Sequence, residues 1–224
     1  MTTPPTIVFD LDGTLADTIH DLIAALNRSL RRHGLEPLDA SDVAHLTGRG
    51  GLRAMIAHAL ARTDRPAEFV DRGRLFAETV EDYGRHVEDR SALYPGARAA
   101  LDDFRADDWR LAVCTNKPAG LARRALGELG IDGYFDAVTG ADSFEFRKPD
   151  PRHLLRTVDL AGGHRGRAVL VGDTEADIAA AKRASMPVVA VDFGYSDVPV
   201  ATLGPDAVIL SFAVLHSEAA ALVG

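Results

Sequence analysis

The stretch that decides the fold is Thr6-Ile-Val-Phe-Asp10-Leu-Asp12-Gly13-Thr14. Its opening run, residues 6 to 9, is short, apolar and β-branched, which predicts a buried strand. The run ends on an acid, and a second acid follows two residues later, ahead of a glycine. From Asp17 the period changes. Ile19, Leu22, Ile23, Leu26 and Leu30 fall at i, i+3, i+4, i+7 and i+11, one face of a helix, and Gly34 closes it.

The same alternation returns after Tyr94-Pro95-Gly96. A helix over 97–107 leads to a strand at Leu111–Thr115. Pro118 opens a helix with Leu121, Ala122, Ala125, Leu126 and Leu129 on one face, and Gly130 ends it. Then come a short strand at Ala137–Thr139, a helix over Pro149–Leu160, a strand at Ala168–Val171, a helix over 174–184, and strands at Val188–Val191 and Ala207–Leu210. Strands alternating with helices require crossover connections and a parallel sheet. Residues 39–90 carry no strand signal. Pro66 suits the first turn of a helix there, and Phe76, Val80, Tyr83 and Val87 mark a helical face. The expected architecture is therefore α/β: a doubly wound, mainly parallel Rossmann-like core of residues 1–15 and 92–224, interrupted by a helical domain at 16–91. A chain of 224 residues suffices for one sizeable domain with an insertion.

Charge narrows the partners. The net charge is −8, whereas a binder of nucleic acid or of a membrane surface carries a basic excess. No apolar window is long enough to span a bilayer, and Met1–Pro5 has no signal-peptide pattern. The lone Cys114 cannot form an internal disulfide, so nothing argues for an oxidising compartment. The expectation is a cytoplasmic protein with no nucleic-acid or membrane partner, either a monomer or a dimer. Of 25 cationic side chains only Lys117, Lys148 and Lys182 are lysine. In a chain that otherwise uses arginine, each invites a reason specific to an ammonium group.

In doubly wound sheets the chemistry lies at the carboxyl ends of the strands. Four such ends carry polar residues: Asp10 and Asp12; Thr115-Asn116-Lys117; Arg147-Lys148-Pro149 beyond the short strand; and Gly172-Asp173 with Asp177 four residues on. A single acid at a strand end is ordinarily a helix cap or a solvated loop residue. That reading strains to cover all four ends together. Three acids gathered in one crevice repel one another without a cation, and oxygen ligands of this kind suit Mg²⁺.

Asp10-Leu-Asp12-Gly-Thr14-Leu, the Thr115 strand end, Arg147-Lys148-Pro149 and Gly172-Asp173-Thr-Glu-Ala-Asp177 resemble, in order, the four motifs of the haloacid dehalogenase superfamily. The resemblance covers the whole chain, and residues 16–91 look like that family's helical cap. It implies an Mg²⁺-dependent phosphatase in which Asp10 is the nucleophile that forms an aspartyl-phosphate. Asp12 is the general acid and base, and its backbone carbonyl faces the metal. Thr115 and its neighbouring amide hold the phosphoryl oxygens, Lys148 neutralises charge, Asp173 is a metal ligand with Asp10, and Asp177 supports them. An acid at position 12 favours phosphate chemistry over dehalogenation. The absence of lysine from residues 16–91 removes the Schiff base that a phosphonate-cleaving relative needs.

Further segments resemble the phosphoglycolate phosphatase branch: Thr115-Asn-Lys117-Pro, Gly140-Ala-Asp142-Ser-Phe-Glu-Phe-Arg-Lys148-Pro, and Phe193-Gly-Tyr-Ser-Asp with Gly204-Pro-Asp-Ala-Val-Ile209. In the cap, Gly48, Arg49 and Gly50 occupy the place of a glycine-rich substrate loop. Backbone amides there could approach a small anion, and Arg49 could fork onto a carboxylate. An exposed arginine at a helix start is an equal reading of Arg49. Asn116 and Lys117 are further candidate substrate contacts, although Lys117 could equally touch the cap or hold its loop. Two departures, Ala141 and Ser185 in place of glycines, bear on turn geometry alone. The expected partner is a small phosphorylated metabolite, first of all 2-phosphoglycolate. Another small phosphate ester or a phosphomutase reaction is the alternative, and a receiver-like signalling module is a remote one. The sequence has no P-loop, no Cys-x5-Arg signature and no histidine pair at metal-binding helical spacing.

Overall fold

In the computed structural model, which describes residues 3–47, 50–63, 70–85 and 91–224, the opening run forms β1 (Thr6–Phe9), with all four residues buried. β1 pairs in parallel with β4 (Arg110–Cys114) on one side and β6 (Ala168–Gly172) on the other. Phe9 lies opposite Val113 and Val171. β5 (Ala137–Thr139) lies beyond β4. β7 (Val188–Val191) and β8 (Ala207–Ile209) lie beyond β6. The order is β5-β4-β1-β6-β7-β8, and every pairing is parallel.

Uninterrupted apolar strands are what a sheet covered on both faces requires, and alternate residues serve opposite layers. Val8, Ala112, Leu170 and Val188 pack with Leu154 and Val158 of α7 (Pro151–Leu160) and with Ile178 and Ala181 of α8 (Glu175–Arg183). Phe9 points the other way. It meets Phe104 of α5 (Ala97–Ala106) edge-on, with ring centroids 6.3 Å apart. Leu215 and Ala219 of α9 (Leu215–Val223) are buried too. The sequence signals no element there, because the Ala219-Ala-Ala-Leu-Val223 run has no polar face to betray a helical period.

The remaining core helix, α6 (Ala119–Glu128), follows Pro118 and ends before Gly130, whose φ is +64°. Ser185 adopts φ +53° in the turn after α8. That turn is left-handed without the glycine that would relieve its steric cost.

The chain divides into two compact units, Met1–Asp17 with Ala92–Gly224, and Thr18–Ser91. At the ends of the first unit's two segments, β2 (Ala16–Asp17) and β3 (Ala92–Leu93) form an antiparallel pair. Two residues per strand are too few to show a period in sequence. The second unit contains α1 (Ile19–Arg32), α2 (Ala40–Val43), α3 (Leu52–Ala61) and α4 (Arg72–Arg85). Its described residues form no strand.

The buried face of α4 is rotated from the expected one. Leu75, Thr79, Asp82 and Tyr83 are buried, while Phe76 and Val80 are only half-buried. The reason is polar pairing. Arg28 Nε and Arg32 Nη2 of α1 donate to the two oxygens of Asp82 at 2.5 and 2.6 Å, and the Thr79 hydroxyl donates to the Leu75 carbonyl. Periodicity counted from apolar residues alone does not see such a face. Pro66 and Val87 lie outside the described residues. No described helix is long and apolar enough to cross a membrane.

Candidate active site

β4, β1 and β6 are neighbours and parallel, so the loops after Cys114, Phe9 and Gly172 emerge at one edge. Asp10, Asp173 and Asp177 are all buried there and bring carboxylate oxygens within 4.8 Å of one another. Lys148 Nζ reaches in from the loop after β5. It lies 3.0 Å from Asp10 Oδ1 and 2.6 Å from Asp177 Oδ1, with 1% of its side chain exposed.

The three carboxylates are engaged differently. Asp177 accepts Lys148 on Oδ1, while Oδ2 accepts from the Thr174 amide at 3.0 Å and the Thr174 hydroxyl at 2.5 Å. It thereby closes the capping box that starts α8. Asp173 takes the Thr14 hydroxyl on Oδ1 at 2.8 Å and the Tyr195 amide on Oδ2 at 2.7 Å. Asp10 takes the Leu11 amide on Oδ1 at 2.7 Å.

Two glycines make room for Asp173. A Cβ at Gly13, whose φ is +81°, would lie 2.3 Å from Asp173 Oδ2, and one at Gly194 would lie 2.3 Å from Asp173 Cβ. Thr14, Gly194 and Tyr195 carry no role in the sequence reading. They lie inside quoted motifs, but hydrogen bonding across 159 or 22 residues leaves no local signal.

Burial dominates the electrostatics. It pushes Asp10 up to about 6, against the lowering effect of Lys148 and reinforced by Asp177 and Asp12. It lifts Asp173 well above the carboxylate range, with Asp177 and Asp10 adding repulsion. Burial also works to discharge Lys148, but Asp10 and Asp177 outweigh it and keep the ammonium charged. Three buried carboxylates face one buried ammonium, so ionising all three leaves an excess negative charge that a further cation would have to balance. An all-oxygen donor set with uncompensated negative charge fits a hard divalent cation such as Mg²⁺.

The other predicted residues surround this cluster. Asp12 has 23% of its side chain exposed, and Lys117 Nζ donates to its Oδ1 at 2.7 Å. Thr115 is buried, and its hydroxyl oxygen accepts the Lys117 amide at 3.2 Å. That contact occupies a lone pair and leaves the hydroxyl proton able to donate elsewhere. The Asn116 side-chain amide donates to the Lys148 carbonyl at 3.0 Å and so ties two of the site's loops together. Gly50 lies in the helical unit just before α3, with φ +129°. Gly48 and Arg49 lie outside the described residues. The third lysine, Lys182, donates to the Leu203 carbonyl at 2.7 Å. Cys114 is buried in β4, and burial pushes its thiol up to about 11, so it is an inert core residue.

A parallel α/β core with acids and a lysine converging at its strand ends is the form of a phosphate-processing hydrolase. Residues 7–191 match the family model described as haloacid dehalogenase-like hydrolase. The phosphoglycolate phosphatase of Mesorhizobium japonicum is 44% identical over 216 residues, covering 96% of this chain and 95% of the relative. That of Agrobacterium fabrum is 44% identical over 213 residues, covering 94% and 90%. The crystal structure of a predicted phosphoglycolate phosphatase from Haemophilus somnus has a TM-score of 0.87 at 28% identity, covering 97% of this chain and 99% of that one.

The chain belongs to the haloacid dehalogenase-like hydrolase family. Within it, the chain is a phosphoric monoester hydrolase of the phosphoglycolate phosphatase-like branch.

Proposed function

We propose that the protein hydrolyses 2-phosphoglycolate in an Mg²⁺-dependent reaction that passes through an aspartyl-phosphate on Asp10. The observation that carries the chemistry is the buried Asp10–Lys148–Asp173–Asp177 cluster with Asp12 at its rim. The names of the relatives support the substrate.

Asp10 Oδ1 is engaged by Leu11 and Lys148, which leaves Oδ2 to attack phosphorus. As the Asp10–phosphorus bond forms, the bond to the leaving oxygen breaks, and Asp12 delivers a proton to that oxygen. Asp12 then takes a proton from water, which attacks phosphorus and frees Asp10 and inorganic phosphate. Lys148 neutralises charge between Asp10 and the phosphoryl group. The Thr115 hydroxyl and the adjacent amide donate to phosphoryl oxygens. Asp10, Asp173 and the Asp12 carbonyl would hold Mg²⁺, which supplies compensation for the charge of the carboxylates and phosphate. Asp177 holds Lys148 in place. Phosphoryl transfer depends chiefly on positioning and charge stabilisation, and this constellation offers both.

The test is kcat/KM with Mg²⁺ for 2-phosphoglycolate against a panel of phosphorylated metabolites. A preference of about tenfold or more, equivalent to roughly 1.4 kcal/mol, is expected. A flat profile, or a preference for another ester, defeats the substrate assignment. No phosphate release from any ester defeats the mechanism. Asp10→Asn is expected to lower turnover by roughly 10³-fold or more, as loss of a nucleophile does.

A further inference from the structure

By its sequence position Lys117 is a candidate substrate contact that could equally hold its loop. We infer that Lys117 is instead a positioning residue for Asp12, its ammonium fastening the Asp12 carboxylate where it can protonate the leaving oxygen. The inference rests on the proposed role of Asp12 as general acid and base.

Lys117 reaches Asp12 from the neighbouring strand. β1 and β4 are paired, and the loops that follow them carry Asp12 and Lys117. Lys117 Nζ donates to Asp12 Oδ1 at 2.7 Å, with 5% of the lysine side chain exposed against 23% of the aspartate's. The base of the lysine is anchored on both sides. Its amide donates to Thr115 Oγ1 at 3.2 Å, and its carbonyl accepts from the Ala141 amide at 3.0 Å. A Cβ at Gly140 would lie 2.4 Å from the Lys117 carbonyl oxygen, so the next loop lies directly against it. The Ala119 amide donates to Asp142 Oδ1 at 2.7 Å and pins the following turn.

A lysine stem already buried on a braced loop loses little further rotamer freedom when it binds. Asp12 differs in the exposure of its side chain rather than in its backbone, whose turn is closed by the Gly13 amide on the Ala16 carbonyl at 2.9 Å and by the amides of Thr14, Leu15 and Ala16 on the Leu11 carbonyl. It precedes Gly13, whose φ is +81°, on a turn leaving β1. A partly exposed carboxylate on a turn can exchange staggered rotamers unless something holds it. The buried lysine thus gives the Asp12 carboxylate a fixed donor at 2.7 Å. An ammonium is a point donor to one oxygen, whereas a guanidinium forks onto both oxygens of a carboxylate. That distinction gives a physical reason for a lysine here in a chain that otherwise uses arginine.

General acid–base catalysis contributes roughly 10²–10⁴-fold, so misplacing the acid is expected to cost a part of that, about 10- to 100-fold. The decisive readout is leaving-group dependence. kcat/KM is measured for a series of aryl phosphates of the same shape, from p-nitrophenyl phosphate to phenyl phosphate, and for ethyl phosphate and 2-phosphoglycolate. The enzymes are the parent, Lys117→Met, Lys117→Gln and Asp12→Asn, each checked for an unchanged urea midpoint.

The expected result is that Lys117→Met leaves p-nitrophenyl phosphate within about threefold and loses about 10- to 100-fold on phenyl phosphate. Ethyl phosphate and 2-phosphoglycolate should then fall together, and the steepening should match that of Asp12→Asn. Lys117→Gln, which keeps a neutral donor, should fall between. It also carries the test if the methionine variant does not fold. Equal losses across the aryl series would overturn the inference. So would a loss confined to 2-phosphoglycolate with ethyl phosphate spared, because that marks Lys117 as a contact to the substrate carboxylate. If Asp12→Asn itself shows no leaving-group dependence, the reading of Asp12 falls and the inference falls with it.

Discussion

Replacing His153 with leucine should make this protein more resistant to acid. His153 lies in the first turn of α7 and is fully buried, and neither ring nitrogen has a hydrogen-bond partner among the described residues. Its ring meets Phe144 edge-on at 5.8 Å. Burial, with Lys148 adding repulsion, pushes its pKa down to about 4 from the ordinary 6.5.

The folded state therefore stays unprotonated at His153 over a range in which the unfolded chain takes up a proton. The contribution of the neutral ring is intact above pH 6.5. It declines as pH falls toward 4 and is constant below that. Over the whole window the loss is about 3 kcal/mol, and at pH 4.5 about 2.5 kcal/mol.

Leucine removes the titration along with two unpaired polar atoms, so near pH 7 the variant should match or slightly exceed the parent. Urea unfolding followed by Trp109 fluorescence at pH 7 and pH 4.5 measures the effect. The stability gap between variant and parent should widen in the variant's favour by about 2.5 kcal/mol at the lower pH. For a chain of this size that is about 5–10 °C in Tm. Other groups titrate in both proteins and cancel in the comparison. A gap of the same size at both pH values would refute the assignment of a buried, neutral His153.

Other perturbations follow from the same geometry. Saturating Mg²⁺, at about 100 times its Kd, should stabilise the protein by about 2.7 kcal/mol, visible as a rise in Tm that Asp173→Asn abolishes. An unchanged Tm on adding Mg²⁺ would contradict a cation site at Asp10 and Asp173. Gly194→Ala would drive a Cβ into Asp173 and should weaken Mg²⁺ affinity and kcat by about tenfold or more, the range seen when residues supporting a metal ligand are disturbed. Titration calorimetry and steady-state rates check this. Asp82→Ala removes the acceptor for Arg28 and Arg32. It should cost about 2 kcal/mol in urea unfolding, reduced from a fully buried pair because both arginines reach solvent. A cost near zero would show that these two ion pairs do not hold α1 against α4.

What could be read from residues alone divides along a physical line. The strands at Ala137–Thr139 and Val188–Val191 and the helix ends at Gly34 and Gly130 are local. Apolar runs, 3.6-residue periods and left-handed glycines act over a few residues. α9 and the β2–β3 pair were not legible, because one confines its polar residues to its first turn and the other is too short to have a period. The buried face of α4 was misread because Asp82 is buried by charge pairing with a helix some fifty residues away. Lys117 shows the same limit. Its spacing from Thr115 brought it to the site, but nothing local could aim its ammonium at Asp12 rather than at a ligand.

The parallel sheet and the acids at its strand ends thus followed from sequence, since chain direction and parallel pairing deliver every strand end to one edge. Only the tertiary structure decided how those side chains divide the work: Asp177 bound to Lys148 and its own helix, Asp173 cradled by Gly13, Gly194, Thr14 and Tyr195, and Asp12 held by Lys117. The difference is one of range. Composition and period constrain neighbours along the chain, whereas a hydrogen bond of about 3 Å such as that from Thr14 to Asp173, 159 positions apart, exists only once the chain has packed.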